Sequence, residues 1–164
     1  MLALKNRKAA VVGCDTSAIA AASLLSRSGA SVTAVCDCEA MRDAPGFGEL
    51  SDQGVEVVSA AKLEIDGFAV CVVGPSTAMD SEIVSRFRDE GVPVISELEL
   101  GFQESSCLHI GVTGSNGKTT TCRLIAAALT GGGKKTRIGG TLTPHISTLA
   151  PETAKLDLLT LEVS

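Results

Sequence analysis

A chain of 164 residues, 45% hydrophobic and 20% charged, is long enough for one sizeable core or two small ones, and its composition excludes disorder. Its net charge of −5 supplies no basic surface for phosphate neutralisation, which argues against nucleic acid and anionic membrane as partners. No apolar run approaches the roughly 20 residues of a membrane span, and the start MLALKNRK lacks the apolar core and cleavage site of a secretion signal, so a cytoplasmic location is expected.

In chain order, KAAVVG (8–13) reads as a short buried strand. TSAIAAASLLSRSG (16–29) reads as a helix with Ala18, Ala21, Ala22 and Leu25 on one face and Gly29 at its end, and SVTAVCD (31–37) as the next strand. Strand, turn, helix, strand is the parallel βαβ unit, in which an acidic residue ending the second strand often meets a ribose or a base. VEVVS (55–59), FAVCVVG (68–74) and VPVIS (92–96) are further strands. SEIVSRFRDEG (81–91) is a helix, and ELELGFQES (97–105) a short helix and connection. The alternation predicts an α/β fold, with a Rossmann-like parallel sheet over residues 1–104.

CLHIGVT (107–113) opens a second α/β unit, expected over residues 105–164. A helix at about 118–130 follows, then the glycine-rich TGGGKKTRIGG leading into a short strand, then the buried strand LDLLTLEV (156–163). KKTR (134–137) is the one basic cluster and reads as a solvated turn. The six cysteines lie mostly in apolar runs such as TAVCDC and FAVCVV, where a free thiol behaves as a small hydrophobe. Cys36 and Cys38 make no zinc site, because there is no second cysteine pair at ligand spacing and the chain has only two histidines.

The most informative stretch is HIGVTGSNGKTTTCRLI (109–125), a strand, a glycine-rich turn with one lysine, and a helix start. Gly114 and Gly117 permit backbone conformations that let successive N–H groups converge on an anion, and the helix start adds its own N–H groups and dipole. Lys118 would set an ammonium on the outer phosphates of ATP, and Thr119 a hydroxyl on the bridging magnesium. The spacing is unusual. The common phosphate-loop pattern has glycine five positions before Gly117, where Val112 stands, and the glycines here are Gly111, Gly114 and Gly117.

With that spacing, GVTGSNGKTTT resembles the ATP-binding loop of the Mur ligases, which add amino acids to UDP-muramoyl peptides. A preceding domain of about 100 residues, SELEL (96–100) and LEVS (161–164) are similar to the D-glutamate-adding branch. The resemblance implies that Gly114, Ser115, Asn116, Gly117, Lys118, Thr119 and Thr120 hold the ATP phosphates. It also implies that Thr119 and Glu162 hold Mg2+, and that Lys118 and Glu162 serve catalysis. UDP-N-acetylmuramoyl-L-alanine and D-glutamate are the implied substrates, with Cys14, Asp15, Thr16, Ser17, Asp37, Cys38, Gly74 and Thr141 at the substrate. An acyl phosphate would be captured by the incoming amine.

The chain departs from that family in its first βα turn, GCDTSA, where Asp15 and Ala18 replace glycines. A carboxylate there repels a pyrophosphate and an added Cβ crowds it, although Asp15, Thr16 or Ser17 would also cap the helix. Asp37 reads as a uracil contact or as a plain strand-end carboxylate, and Gly74 as part of the nucleotide cleft or as an ordinary Gly-Pro turn. Thr141 stands where the family has asparagine, and His145 and His109 read as ordinary residues. The rest of an ATPase domain and a C-terminal domain do not follow LEVS, so the chain reads as a ligase fragment that is inactive alone and self-associates through an unfinished sheet edge. A repurposed nucleotide-binding module is the alternative. A nicotinamide-dependent oxidoreductase is disfavoured, since GCDTSA lacks the second and third fingerprint glycines.

Overall fold

The computed structural model describes residues 3–36, 46–141 and 143–163. Asp37 and Cys38 therefore lie outside the described residues. Two compact units are present, the first running to Leu100 and the second beginning at Gly101.

The first unit contains β1 (Lys8–Val12), α1 (Thr16–Arg27), β2 (Ser31–Val35), α2 (Phe47–Asp52), β3 (Glu56–Val58), β4 (Phe68–Val73), α3 (Glu82–Asp89), β5 (Val94–Ser96) and the start of α4 (Glu97–Glu104). Its five strands run in the order β3-β2-β1-β4-β5, and all are paired in parallel. Ala9, Ala10, Val11 and Val12 are buried in succession. Successive strand side chains point to opposite faces, so the central strand is covered on both. The order reverses between β1 and β4, because the chain runs outward from β1 to β2 and β3 and then returns to the other side. In such sheets the crevice beyond the carboxyl ends at this reversal is where ligands enter.

One core cluster gathers Ala10, Val12, Val35, Leu63, Cys71, Val73, Ile83, Val84 and Phe87. The Phe87 ring meets Phe68 edge-to-face at 5.5 Å between centroids. Beside it the Arg86 guanidinium donates to the carbonyls of Ala60 and Leu63 at 2.8 and 2.7 Å, tying α3 to the short 3-10 turn Ala60–Lys62.

The second unit holds β6 (Leu108–Val112), α5 (Lys118–Gly131), β7 (Thr136–Gly140), α6 (Ile146–Leu149), a 3-10 turn (Ala150–Lys155) and β8 (Leu158–Glu162). Its sheet is parallel in the order β6-β8-β7, so the strand latest in the chain is the central one. That position suits it, since Leu159, Thr160, Leu161 and Glu162 are all buried. Of α5's fourteen residues only Cys122 is buried, and Leu124 is 66% exposed.

The cysteines require a correction. Cys14 and Cys36, read from the sequence as free thiols, are joined in a disulfide with Cα atoms 5.5 Å apart, which fits parallel neighbours β1 and β2 ending side by side. Cys71 keeps the expected role and is fully buried in β4. Burial pushes its thiol up to about 12, against a smaller opposing pull from the Arg88 charge.

Two outcomes follow from this core. At pH 8 a thiol-alkylating reagent leaves Cys71 unmodified in the native chain and modifies it after denaturation, as peptide mass spectrometry would read, because the reactive thiolate is suppressed by burial. Phe87→Ala lowers the stability of the first unit by about 3–5 kcal/mol, read as an earlier urea transition.

Candidate functional site

The strongest constellation lies in the second unit, at the carboxyl ends of β6 and β8. The register pairs Val112 with Glu162 and Gly140 with Glu162, so the turn after β6 opens beside a carboxylate from the central strand. Gly114 has φ +145° and Gly117 φ +78°, both in the region that side chains rarely enter. Gly117 is the N-cap of α5 and brings no side-chain hydrogen bond to it. Ser115, Asn116, Gly117 and Thr120 are exposed, and Lys118 and Thr119 are half-buried. The Lys118 ammonium lies back over the turn and donates to the Gly114 carbonyl at 2.9 Å. The Thr119 hydroxyl donates to Glu162 Oε2 at 2.7 Å.

The sequence therefore brings Thr119 and Glu162 together across 43 residues. An uncapped helix start, a lysine and a hydroxyl–carboxylate pair can receive an anion on one side and a cation on the other. A buried carboxylate needs hydrogen bonds or a counter-charge, and the only bond among the described residues given to the Glu162 side chain is from Thr119. That donor set fits a hard cation, which prefers oxygen ligands.

Thr141, expected from the sequence at the substrate, lies beside the end of β8. Its N–H and its hydroxyl both donate to the Glu162 carbonyl, at 2.9 and 3.1 Å, so it holds the backbone beneath the carboxylate. Gly140 is required there. A Cβ would lie 2.2 Å from the Glu162 carbonyl oxygen, and its φ is +124°.

The second constellation is the crevice of the first unit, between the turns after β1 and β4. Asp15 caps α1, its Oδ1 accepting from the N–H groups of Ser17 and Ala18 at 3.0 and 2.9 Å and from the Ser17 hydroxyl. Its Oδ2 accepts from the Ser76 hydroxyl, 61 residues away. Burial raises the Asp15 carboxyl, but the bonds from Ser17, Ser76 and Ala18 together outweigh it and hold the group below its ordinary value. Gly74 is buried against this carboxylate, and a Cβ there would come within 2.9 Å of Ser17 Oγ and 3.1 Å of Asp15 Oδ1. Gly13, at φ +143°, lies against Ala18 and Thr77. Thr16 is exposed on the first turn of α1, and the Cys14 sulfur is bonded to Cys36, so it offers no thiol to a ligand.

Ser76 and Thr77 were missed by reading the sequence. The signal for them is the GPST turn itself, in which two hydroxyls follow the Gly-Pro pair. Once β1 and β4 are neighbours at the reversal, their following turns must face each other. Among the described residues no group of three or more histidine, cysteine or acidic side chains is placed to hold a metal.

Gly140→Ala is expected to cost the second unit at least about 2 kcal/mol, since both strain and overlap fall on Glu162. Hydrogen exchange would show β7 and β8 losing protection while β1 and β4 keep theirs.

No family model matches the chain. The curated UDP-N-acetylmuramoylalanine--D-glutamate ligase of Streptococcus uberis is 38% identical over 162 residues, 97% of this chain and 36% of that protein. The ligase of the same name from Streptococcus thermophilus is 37% identical over 164 residues, 98% of this chain and again 36% of its own length. The chain thus spans a little over a third of the curated relatives it matches. Two solved structures share its fold. The UDP-N-acetylmuramate:L-alanyl-gamma-D-glutamyl-meso-diaminopimelate ligase of Neisseria meningitides has a TM-score of 0.55 at 18% identity, over 96% of this chain and 52% of its own. A pseudomurein peptide ligase type C from Methanothermus fervidus gives 0.53 at 19%, over 96% and 33%. The glycine-spaced loop, the strand-end glutamate and similarity along the whole chain agree, and the chain belongs to the Mur ligase family over a stretch that makes up about a third of its curated relatives.

Proposed function

We propose that this chain is the part of a D-glutamate-adding Mur ligase that receives the UDP-linked precursor in its first unit and the phosphates of ATP in its second. The observation that carries the reading is the Thr119–Glu162 pair, 2.7 Å apart, beside Gly117 and Lys118 at an uncapped helix start. A carboxylate drawn to that place has no use in a plain glycine turn. It has one where a divalent cation must bridge phosphates.

In this reading Lys118 leaves the Gly114 carbonyl and turns its ammonium to the outer phosphates, a charge-assisted contact stronger than the one it gives up. The N–H groups at the start of α5 hold the neighbouring phosphate oxygens. Thr119 and Glu162 would hold Mg2+, which when bound neutralises charge on the phosphates. The substrate carboxylate of UDP-N-acetylmuramoyl-L-alanine takes the γ-phosphoryl group of ATP, and the amine of D-glutamate displaces phosphate to form the amide. Little covalent help is needed from the protein; positioning and charge carry the reaction. Gly74, Asp15, Thr16 and Ser17 would line the precursor cleft. No helix among the described residues is long and apolar enough to cross a membrane. A cytoplasmic setting belongs to the proposal. Leu108 and Leu124, 72% and 66% exposed on β6 and α5, support the reading of the second unit as part of a larger sheet and offer a surface for self-association when it stands alone.

The test is calorimetric titration of the chain with Mg-ATP. The unaltered chain binds, and Lys118→Ala weakens binding by at least about tenfold, or about 1.4 kcal/mol. Unchanged affinity in Lys118→Ala would remove the loop from the ATP site. Titration with UDP-N-acetylmuramoyl-L-alanine tests the first unit separately, and no binding to a folded chain would favour a repurposed nucleotide module instead.

A further inference from the structure

The turn that opens the precursor cleft of the first unit carries its own negative charge. In the β1–α1 turn the place that a ligand phosphate takes in a dinucleotide-type fold is occupied by a side chain of the protein itself. Asp15 Oδ1 accepts from the N–H groups of Ser17 and Ala18, the second and third residues of α1, and its Oδ2 accepts from the Ser76 hydroxyl across the crevice. Gly74 lacks a side chain where one would strike this carboxylate, so the turn after β4 closes on it. The Ala18 Cβ lies against Gly13, crowding the turn.

We infer that Asp15 is a specificity-determining residue, an internal anion latched between the two turns that keeps ligand phosphate off the N-terminus of α1. The crevice then selects its ligand through the nucleoside and sugar portions, and the diphosphate of a UDP-linked ligand lies away from the start of α1. This deepens the proposed function and rests on its reading that a uridine nucleotide enters this crevice. The physical grounds are two. A second anion beside Asp15 meets like-charge repulsion. To reach Ser17 and Ala18 it must also displace a carboxylate that already satisfies them.

Asp15→Asn separates charge from structure, because asparagine caps helices as well as aspartate does. Ser76→Ala removes the latch and leaves the charge. The readout is the amide NMR signals of Ser17 and Ala18 during titration with uridine, UDP and inorganic pyrophosphate, which distinguishes this turn from the phosphate loop of the second unit. In the unaltered chain these two signals respond no more to UDP than to uridine. In Asp15→Asn they shift with UDP and with pyrophosphate, and UDP binding to the first unit tightens by about tenfold while uridine binding does not change. Ser76→Ala stays closer to the unaltered chain than to Asp15→Asn.

Signals of Ser17 and Ala18 that move with UDP in the unaltered chain as they do in Asp15→Asn would overturn the inference. So would an Asp15→Asn variant, folded by its spectrum, whose Ser17 and Ala18 signals ignore pyrophosphate. If uridine and UDP leave every signal of the first unit unmoved while pyrophosphate shifts Ser17 and Ala18 only in Asp15→Asn, the uridine-nucleotide reading of the crevice fails and the role of Asp15 stands.

Discussion

Every strand pairing in both sheets is parallel, and that constraint determines where chemistry can occur. Parallel neighbours end at the same edge, so the turns that follow them gather there however far apart they lie in sequence. In the second unit this brings the turn after β6 beside Glu162, which closes β8. In the first it brings Asp15, after β1, beside Ser76, after β4. Neither pair has a local cause. Each follows from strand order.

Within the second unit, Glu162 is where backbone and side-chain demands meet. Its side chain takes the Thr119 hydroxyl, its carbonyl takes two bonds from Thr141, and the absence of a side chain at Gly140 lets β7 lie flush against it. A carboxylate on a free strand end would swing among rotamers, whereas one whose backbone is held on both sides presents its oxygens in a narrow arc. Preorganisation of that kind lowers the cost of receiving a cation.

Much of the fold was legible in the sequence because its signals are local. The alanine and leucine face of α1, the apolar run of β4 and the glycines at 114 and 117 each declare an element within about ten residues. The Asp15 cap is legible for the same reason, since a carboxylate one residue before a helix has a known use. Three things were not legible. The central place of β8 depends on pairing across about fifty residues on one side and twenty on the other, which no local pattern encodes. The Cys14–Cys36 bond depends on β1 and β2 ending level, so two cysteines in apolar runs read as free. The short turns at Ala60–Lys62 and Ala150–Lys155 and the four-residue α6 carry too few residues for a period to emerge.

The two βα turns make a controlled comparison within one chain. Both follow a parallel strand, both use a glycine at positive φ, and both begin a helix of more than ten residues, so the dipole and the orphan N–H groups are alike. They differ at the N-cap. At α5 it is Gly117, which has no side chain to offer, and the nearby cation and hydroxyl come from Lys118 and Thr119, the first residues of the helix. At α1 it is Asp15, which answers the helix start with the protein's own negative charge. One residue type at one position therefore decides whether the start of a helix can attract an anion from solution. In the proposed function that choice divides the labour between the units: the second would engage phosphate, and the first would receive its ligand by other contacts.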